Sequence, residues 1–149
     1  MKMFRCAPGW LALPFLLCSP VLALDLPAEV NGHSVNVIGM SDLPISQLLI
    51  DGAITVEAFD VAVPGPVIEV AGVPVILVEV HAGGNACEGP MPAIISLPEG
   101  AEPELYGPLD NCAPLAARID ADRITFAAIG SEDQPDLYVW TPQGGFTQP

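Results

Sequence analysis

Positive charge is what this sequence has least of. Its 149 residues hold four Lys and Arg against 18 Asp and Glu, a formal net charge of −14. Lys2 and Arg5 lie at the start, and beyond them the basic residues are Arg118 and Arg123, with no further lysine. A chain this anionic does not hold nucleic acid through its phosphates, because that affinity comes from Lys and Arg. Nor does it dock on anionic lipid head groups. Beyond the first two dozen residues no apolar run reaches the roughly 18 residues of a membrane-spanning helix, so no stable membrane insertion is expected. Long amphipathic segments of period 3.6 are also missing, and residues 44–49 are the best helical candidate. What the chain does have is apolar content, 51% of all residues, too much for a disordered acidic tail.

The first residues read as an export signal. Lys2 and Arg5 precede an apolar run over 10–17, and Val21-Leu22-Ala23 supplies the small or slim residues of a cleavage site. The run contains Pro14 and is short for a bilayer. Cleavage after residue 23 leaves 126 of the 149 residues, expected to form one β domain over 24–149. Lys2 and Arg5 leave with the signal, so two arginines stand against 18 acids and the charge becomes −16. The expected location is the periplasm or the outside of the cell.

Of four cysteines, Cys6 and Cys18 lie in the signal, leaving Cys87 and Cys112. An even pair in an oxidising compartment is a disulfide by default. Closing the loop of 112 − 87 = 25 residues between them stabilises by about 3.5 kcal/mol on the chain-entropy account. A zinc site built from these cysteines with His33 and His81 lacks the close-pair spacing of structural zinc, and no C-x-x-C redox motif occurs.

Strand signals fill the rest. Residues 48–50 and 53–59 flank Asp51-Gly52, a dipeptide that accepts the positive φ angles of a type I′ hairpin turn. Residues 67–70 and 75–80 flank Ala71-Gly72 in the same way. In the latter run Ile76, Val78 and Val80 share one face, while Glu79 and His81 share the other. Residues 115–119 and 124–128 surround Asp120-Ala121-Asp122-Arg123 as a third hairpin. Shorter candidates cover 34–38, 93–97, 104–106 and 137–141, the last with Tyr138 and Trp140 on one side. Fourteen of the 17 prolines lie after residue 23, mostly between these runs, where they end strands. The expectation is an all-β protein, an antiparallel β-sandwich or small barrel of eight or nine short strands.

The most distinctive stretch runs from His81 through Gly83-Gly84-Asn85-Ala86-Cys87-Glu88. Paired glycines permit positive φ and close approach, and Asn85 tolerates left-handed geometry. One reading makes this a stapled binding loop, with His81, Gly83, Gly84, Asn85 and Glu88 in contact and Asp110 near the second cysteine. The plainer reading is a tight corner that aims Cys87 at Cys112. The lysine of a phosphate loop is absent. As a general base His81 would need an acid, such as Glu79, and a nucleophile, such as Ser96, yet no G-x-S-x-G motif fixes that geometry. His33 sits in the Asn31-Gly32 turn with no visible partner. Asp120 and Asp122 are weak calcium candidates, since calcium needs six to eight oxygens and no EF-hand pattern is present. No cofactor is expected.

The Gly83-to-Cys87 segment, Asp110-Asn111-Cys112 and the stretch from Tyr138 to Phe146 resemble uncharacterised small exported bacterial proteins, over roughly residues 73–146. That resemblance implies export and a disulfide, with no catalytic role. The combined expectation is an exported acidic β protein of binding type, not an enzyme, acting on a basic protein or an envelope component as an inhibitor or neutralising partner would. A calcium-binding envelope module and a small hydrolase using His81 are the alternatives.

Overall fold

Three dipeptides set the local geometry: Asn31-Gly32, Asp51-Gly52 and Ala71-Gly72. The first residue of each holds φ near 50° (55°, 52°, 49°) and the glycine near 80° (87°, 78°, 79°). Positive φ at both central positions is the type I′ turn, whose twist matches that of the strands it joins. The computed structural model describes residues 24–84, 87, 89–129 and 135–149. The export-signal reading of residues 1–23 lies outside them.

Among the described residues the regular elements are thirteen strands in three antiparallel sheets. The first sheet holds β1 (Ala28–Val30), β2 (His33–Gly39), β3 (Ser46–Ile50) and β4 (Ala53–Ala58), paired in that order. The second centres on β7 (Val73–His81). One side of β7 carries β5 (Asp60–Ala62) and β6 (Ile68–Val70), and the other carries β8 (Met91–Ser96) and then β9 (Glu104–Tyr106). The third runs β10 (Leu115–Ile119), β11 (Ile124–Ala128), β12 (Asp136–Thr141) and β13 (Gly145–Thr147).

Alternation along β7 and β8 decides the layering. Ile76, Val78 and Val80, with Ala93 and Ile95, pack against Val35, Leu48, Ile50 and Val56 of the first sheet. Val75 and Ile94 point the other way and pack against Ile124, Phe126 and Trp140 of the third. The second sheet is therefore the middle of a three-layer stack and is buried on both faces. This accounts for the unbroken apolar run Ala93-Ile94-Ile95, each residue with no exposed surface. A strand covered on both faces has no solvent side to mark with polar residues. Edge-to-face ring pairs, Tyr106 with Trp140 at 5.5 Å and Phe126 with Phe146 at 5.9 Å, close the second core.

The all-β, antiparallel, sandwich-like expectation holds, as do the three hairpins. Three details change. The sheets are stacked and open, not closed into a barrel, and the strands number thirteen, not eight or nine. The strands with no counterpart among the candidate runs, β1, β5 and β13, have three residues each, too few to display a period of two. Residues 44–49 form no helix. Ser46–Ile50 is a strand with neighbours on both sides, and burial of Leu48 and Ile50 outweighs a weak local preference.

Candidate functional site

The connection from His81 to Met91 carries most of the expected site. Cys87 and Cys112 are disulfide-bonded across a separation of 25 residues, as expected from their pairing in sequence. Gly83 and Gly84 hold φ of 80° and 68°. Gly83 is required twice over, by that φ and by contact. A Cβ there would lie 2.9 Å from Cβ and Cγ of Phe59, so only glycine lets the loop lie against the ring. Phe59, at 50% exposure, was not singled out from sequence. It lines a cavity of about 260 Å³ with His81, Gly83, Gly84, Cys87 and Gly89. Its signal in sequence was weak, an aromatic at the tail of a strand where the chain bends before Asp60.

His81 closes β7 half-buried, directly across from Asp60 of β5. Asp60 accepts a long hydrogen bond from the Ser46 hydroxyl, 3.4 Å. Glu79 lies two residues back on the same face, facing Ala62 and Pro92 in the neighbouring strands. Ser96 does not serve His81. It is buried opposite Val75, at the far end of β7. The serine–histidine–acid arrangement is thus not assembled. Asp110 is exposed between Leu109, whose N–H donates to Pro92 O at 2.8 Å, and Asn111, whose side-chain oxygen caps Ala113 N at 3.0 Å. It does not line the Phe59 cavity. Asn85 and Glu88 lie outside the described residues.

Asp120 and Asp122, the calcium candidates, are engaged by arginine. Arg118 Nε lies 3.7 Å from Asp120, and its Nη2 lies 3.3 Å from Asp136. Arg123 makes a two-pronged contact with Asp122, at 3.0 and 2.9 Å. Hydrogen bonds from Arg123 pull the Asp122 carboxyl below its ordinary range, and Asp122 in turn raises the guanidinium. No group of three or more His, Cys, Asp or Glu is placed to share a metal ion among the described residues.

A second polar centre was missed. The sequence places His33 in a turn with no visible partner, but it opens β2, is 8% exposed and has both ring nitrogens engaged. Nδ1 donates to Asp51 Oδ2 at 2.7 Å, and Nε2 donates to the Pro98 carbonyl at 3.1 Å. Carboxylate and carbonyl both accept, so the ring satisfies both partners at once in its protonated, imidazolium form. The Asp51 hydrogen bond raises the His33 pKa above its ordinary 6.5, helped by Pro98 and opposed by burial. The same bond, with one from Ser34 N–H at 2.8 Å, lowers Asp51. Asn31 Nδ2 adds a bond to Leu97 O at 3.0 Å. Two type I′ turns and the loop after β8 are thereby tied together. The signal lay in pairing: with Val35 opposite Ile50, the two turns fall at one end of the sheet. Sequence patterning does not say that β2 and β3 are neighbours.

Among known proteins, an uncharacterised protein, y4bG of Sinorhizobium fredii (strain NBRC 101917 / NGR234), is 31% identical over 143 residues. The alignment takes in 91% of this chain and 51% of the relative, so the chain spans about half the length of the curated relative it matches. No solved structure matches. The profile of the Y4bG N-terminal domain matches residues 31–149, a span holding all buried core residues except Val30, together with the disulfide and the His33 hydrogen bonds. The chain belongs to the Y4bG N-terminal domain family.

Proposed function

We propose that this protein is an exported binding module that engages a cationic partner, a basic protein or a basic envelope component, through its acidic surface. One observation carries the reading. Both arginines that follow the N-terminal segment are held by aspartates of their own chain, Arg118 by Asp120 and Asp136 and Arg123 by Asp122. Among the described residues the other acidic side chains are exposed, apart from the half-buried Glu79, and the sequence beyond the N-terminal segment holds no further Lys or Arg to pair with them. Such a field steers a cationic partner into encounter and repels anionic ones. Cys87–Cys112 supports the oxidising compartment, since disulfides persist there.

The contact centre in this reading is the Phe59 cavity. A half-exposed phenyl ring held against Gly83 is a platform for a lysine or arginine side chain, a pairing that adds about 0.5–1 kcal/mol at exposed sites. His81 and the glycines frame it, and Asp110, exposed two residues before Cys112, adds to the anionic surface outside the cavity. The test is capture from envelope extract by the immobilised protein, with an unrelated protein of equal net charge as control. The expected result is a basic species held at low salt, released at high salt, absent from the control and reduced by Phe59→Ala. Capture of the same set by the control would refute specific recognition.

A further inference from the structure

The third sheet ends in an unusual edge. Among the described residues β10 is a border strand, paired on one side alone with β11. The Asp120 N–H donates to Arg123 O at 2.9 Å, and Pro114 O accepts from Ile129 N at 3.1 Å. Even-numbered residues therefore direct their backbone groups toward β11. By alternation, Leu115, Ala117 and Ile119 direct N–H and C=O outward. The side chains of those three residues share the face of Ala128, Phe126 and Ile124, their register partners. Phe126 and Ile124 are buried under the middle sheet, but Ala117 is exposed and Ile119 is 47% exposed. The apolar face of the third sheet thus outruns the sheet that covers it. At the hairpin tip, Ala121 O accepts from Ala71 N at 2.7 Å, which fixes the edge to the β6–β7 turn.

We infer that β10 is the pairing edge for a second copy of this chain. Five consecutive residues with three outward donor–acceptor sets, no proline and no bulge form a template for an antiparallel strand. A two-fold axis at Ala117 sets Leu115 of each copy against Ile119 of the other and uses all three sets. Such a contact is self-complementary and closes. It continues the third sheet from four strands to eight and covers the overhanging Ile119.

Length and charge together select this edge, and charge selects this occupant; β13, the opposite border of the same sheet, carries no carboxylate but offers only the three residues Gly145–Thr147. β4, the other long border strand, carries Glu57 and is followed by Asp60. β1, β5, β6 and β9 have three residues each and carry Glu29, Asp60, Glu69 and Glu104. Two copies meeting at those edges set carboxylate against carboxylate. At β10 a copy meets Arg118 and Arg123 as well as Asp120, Asp122 and Asp136, so the local field nearly cancels. A basic partner gains least at that place, whereas a second anionic copy is repelled least. The inference is independent of the binding function proposed above.

Sedimentation of protein purified from cells expressing the whole chain tests it, from about 0.01 to about 1 mM, the range of weak complexes with small interfaces. The average mass should climb toward twice the monomer value with concentration, and the midpoint should move to lower concentration as added salt screens the repulsion between copies. Ala117→Pro removes an outward N–H, a change that an edge strand tolerates, and should hold the protein at monomer mass with its melting curve intact. Ile119→Lys should do the same through the side-chain face, and it decides the matter if the proline variant fails to fold. Wild-type protein at monomer mass throughout, or folded variants that associate as wild type does, would overturn the proposal.

Discussion

His33 is the residue on which a pH response can be read. Its imidazolium donates to Asp51 and to Pro98, and its pKa is raised by those bonds, Asp51 foremost. A raised folded-state pKa stabilises fully below the ordinary 6.5 and stops doing so as pH climbs through the folded value. Asp51 has the opposite sign. Its lowered pKa stabilises above the ordinary 3.8 and ceases to as pH falls through the folded value. Both contributions are complete between those two ordinary values. Melting temperature against pH should therefore show a gap between wild type and His33→Gln that is widest in that window and narrows on the alkaline side. A gap of constant size from pH 5 to about 9 would mean that the ring is not an imidazolium in the fold. At this scale the sequence was a partial guide. Gly83 and the cysteine pair were readable, because φ, loop closure and redox compartment are local or arithmetic matters. Phe59 and the His33 partners were not, because both depend on which strands lie side by side.

At the scale of the element, the middle sheet is the distinctive feature. An ordinary two-layer sandwich buries one face of each strand and shows alternation. β7 displayed that alternation only toward its end, where Glu79 and His81 pass beyond the third sheet's core, whereas Val75 and Ile94 are fully buried on the same face as those polar residues. The consequence is a matched pair of variants. Ile76→Ala opens the first core and Ile94→Ala the second, and each should lower unfolding free energy by about 2–4 kcal/mol in denaturant titrations. A cost below about 1 kcal/mol for Ile94→Ala alone would show that the third layer is not packed. The hairpins were legible from Asp51-Gly52 and Ala71-Gly72, and 115–119 and 124–128 match β10 and β11. The stacking order was not legible, because an apolar run such as Ala93-Ile94-Ile95 marks a strand covered on both faces without saying which sheets cover it. The strand at Ser46–Ile50 shows the converse, a local pattern overruled by neighbours on both sides.

On the scale of the whole molecule, charge is the property with consequences. Folding does not dilute the acidity, because the few cations of the described region are spent on adjacent aspartates. The hairpin that spends them becomes the least repulsive edge for self-pairing, and the remaining surface stays available to a cationic partner. Membership of the Y4bG N-terminal domain family sets the frame for this architecture, and no activity follows from it. The central claim is that the acidic surface steers a cationic partner. The most direct measurement is the association rate constant with the captured basic partner as a function of ionic strength. Electrostatic steering predicts a fall of about tenfold or more from low salt to about 0.3 M, with the dissociation rate changing far less. An association rate that stays flat across that range, with affinity governed by dissociation alone, would contradict the account.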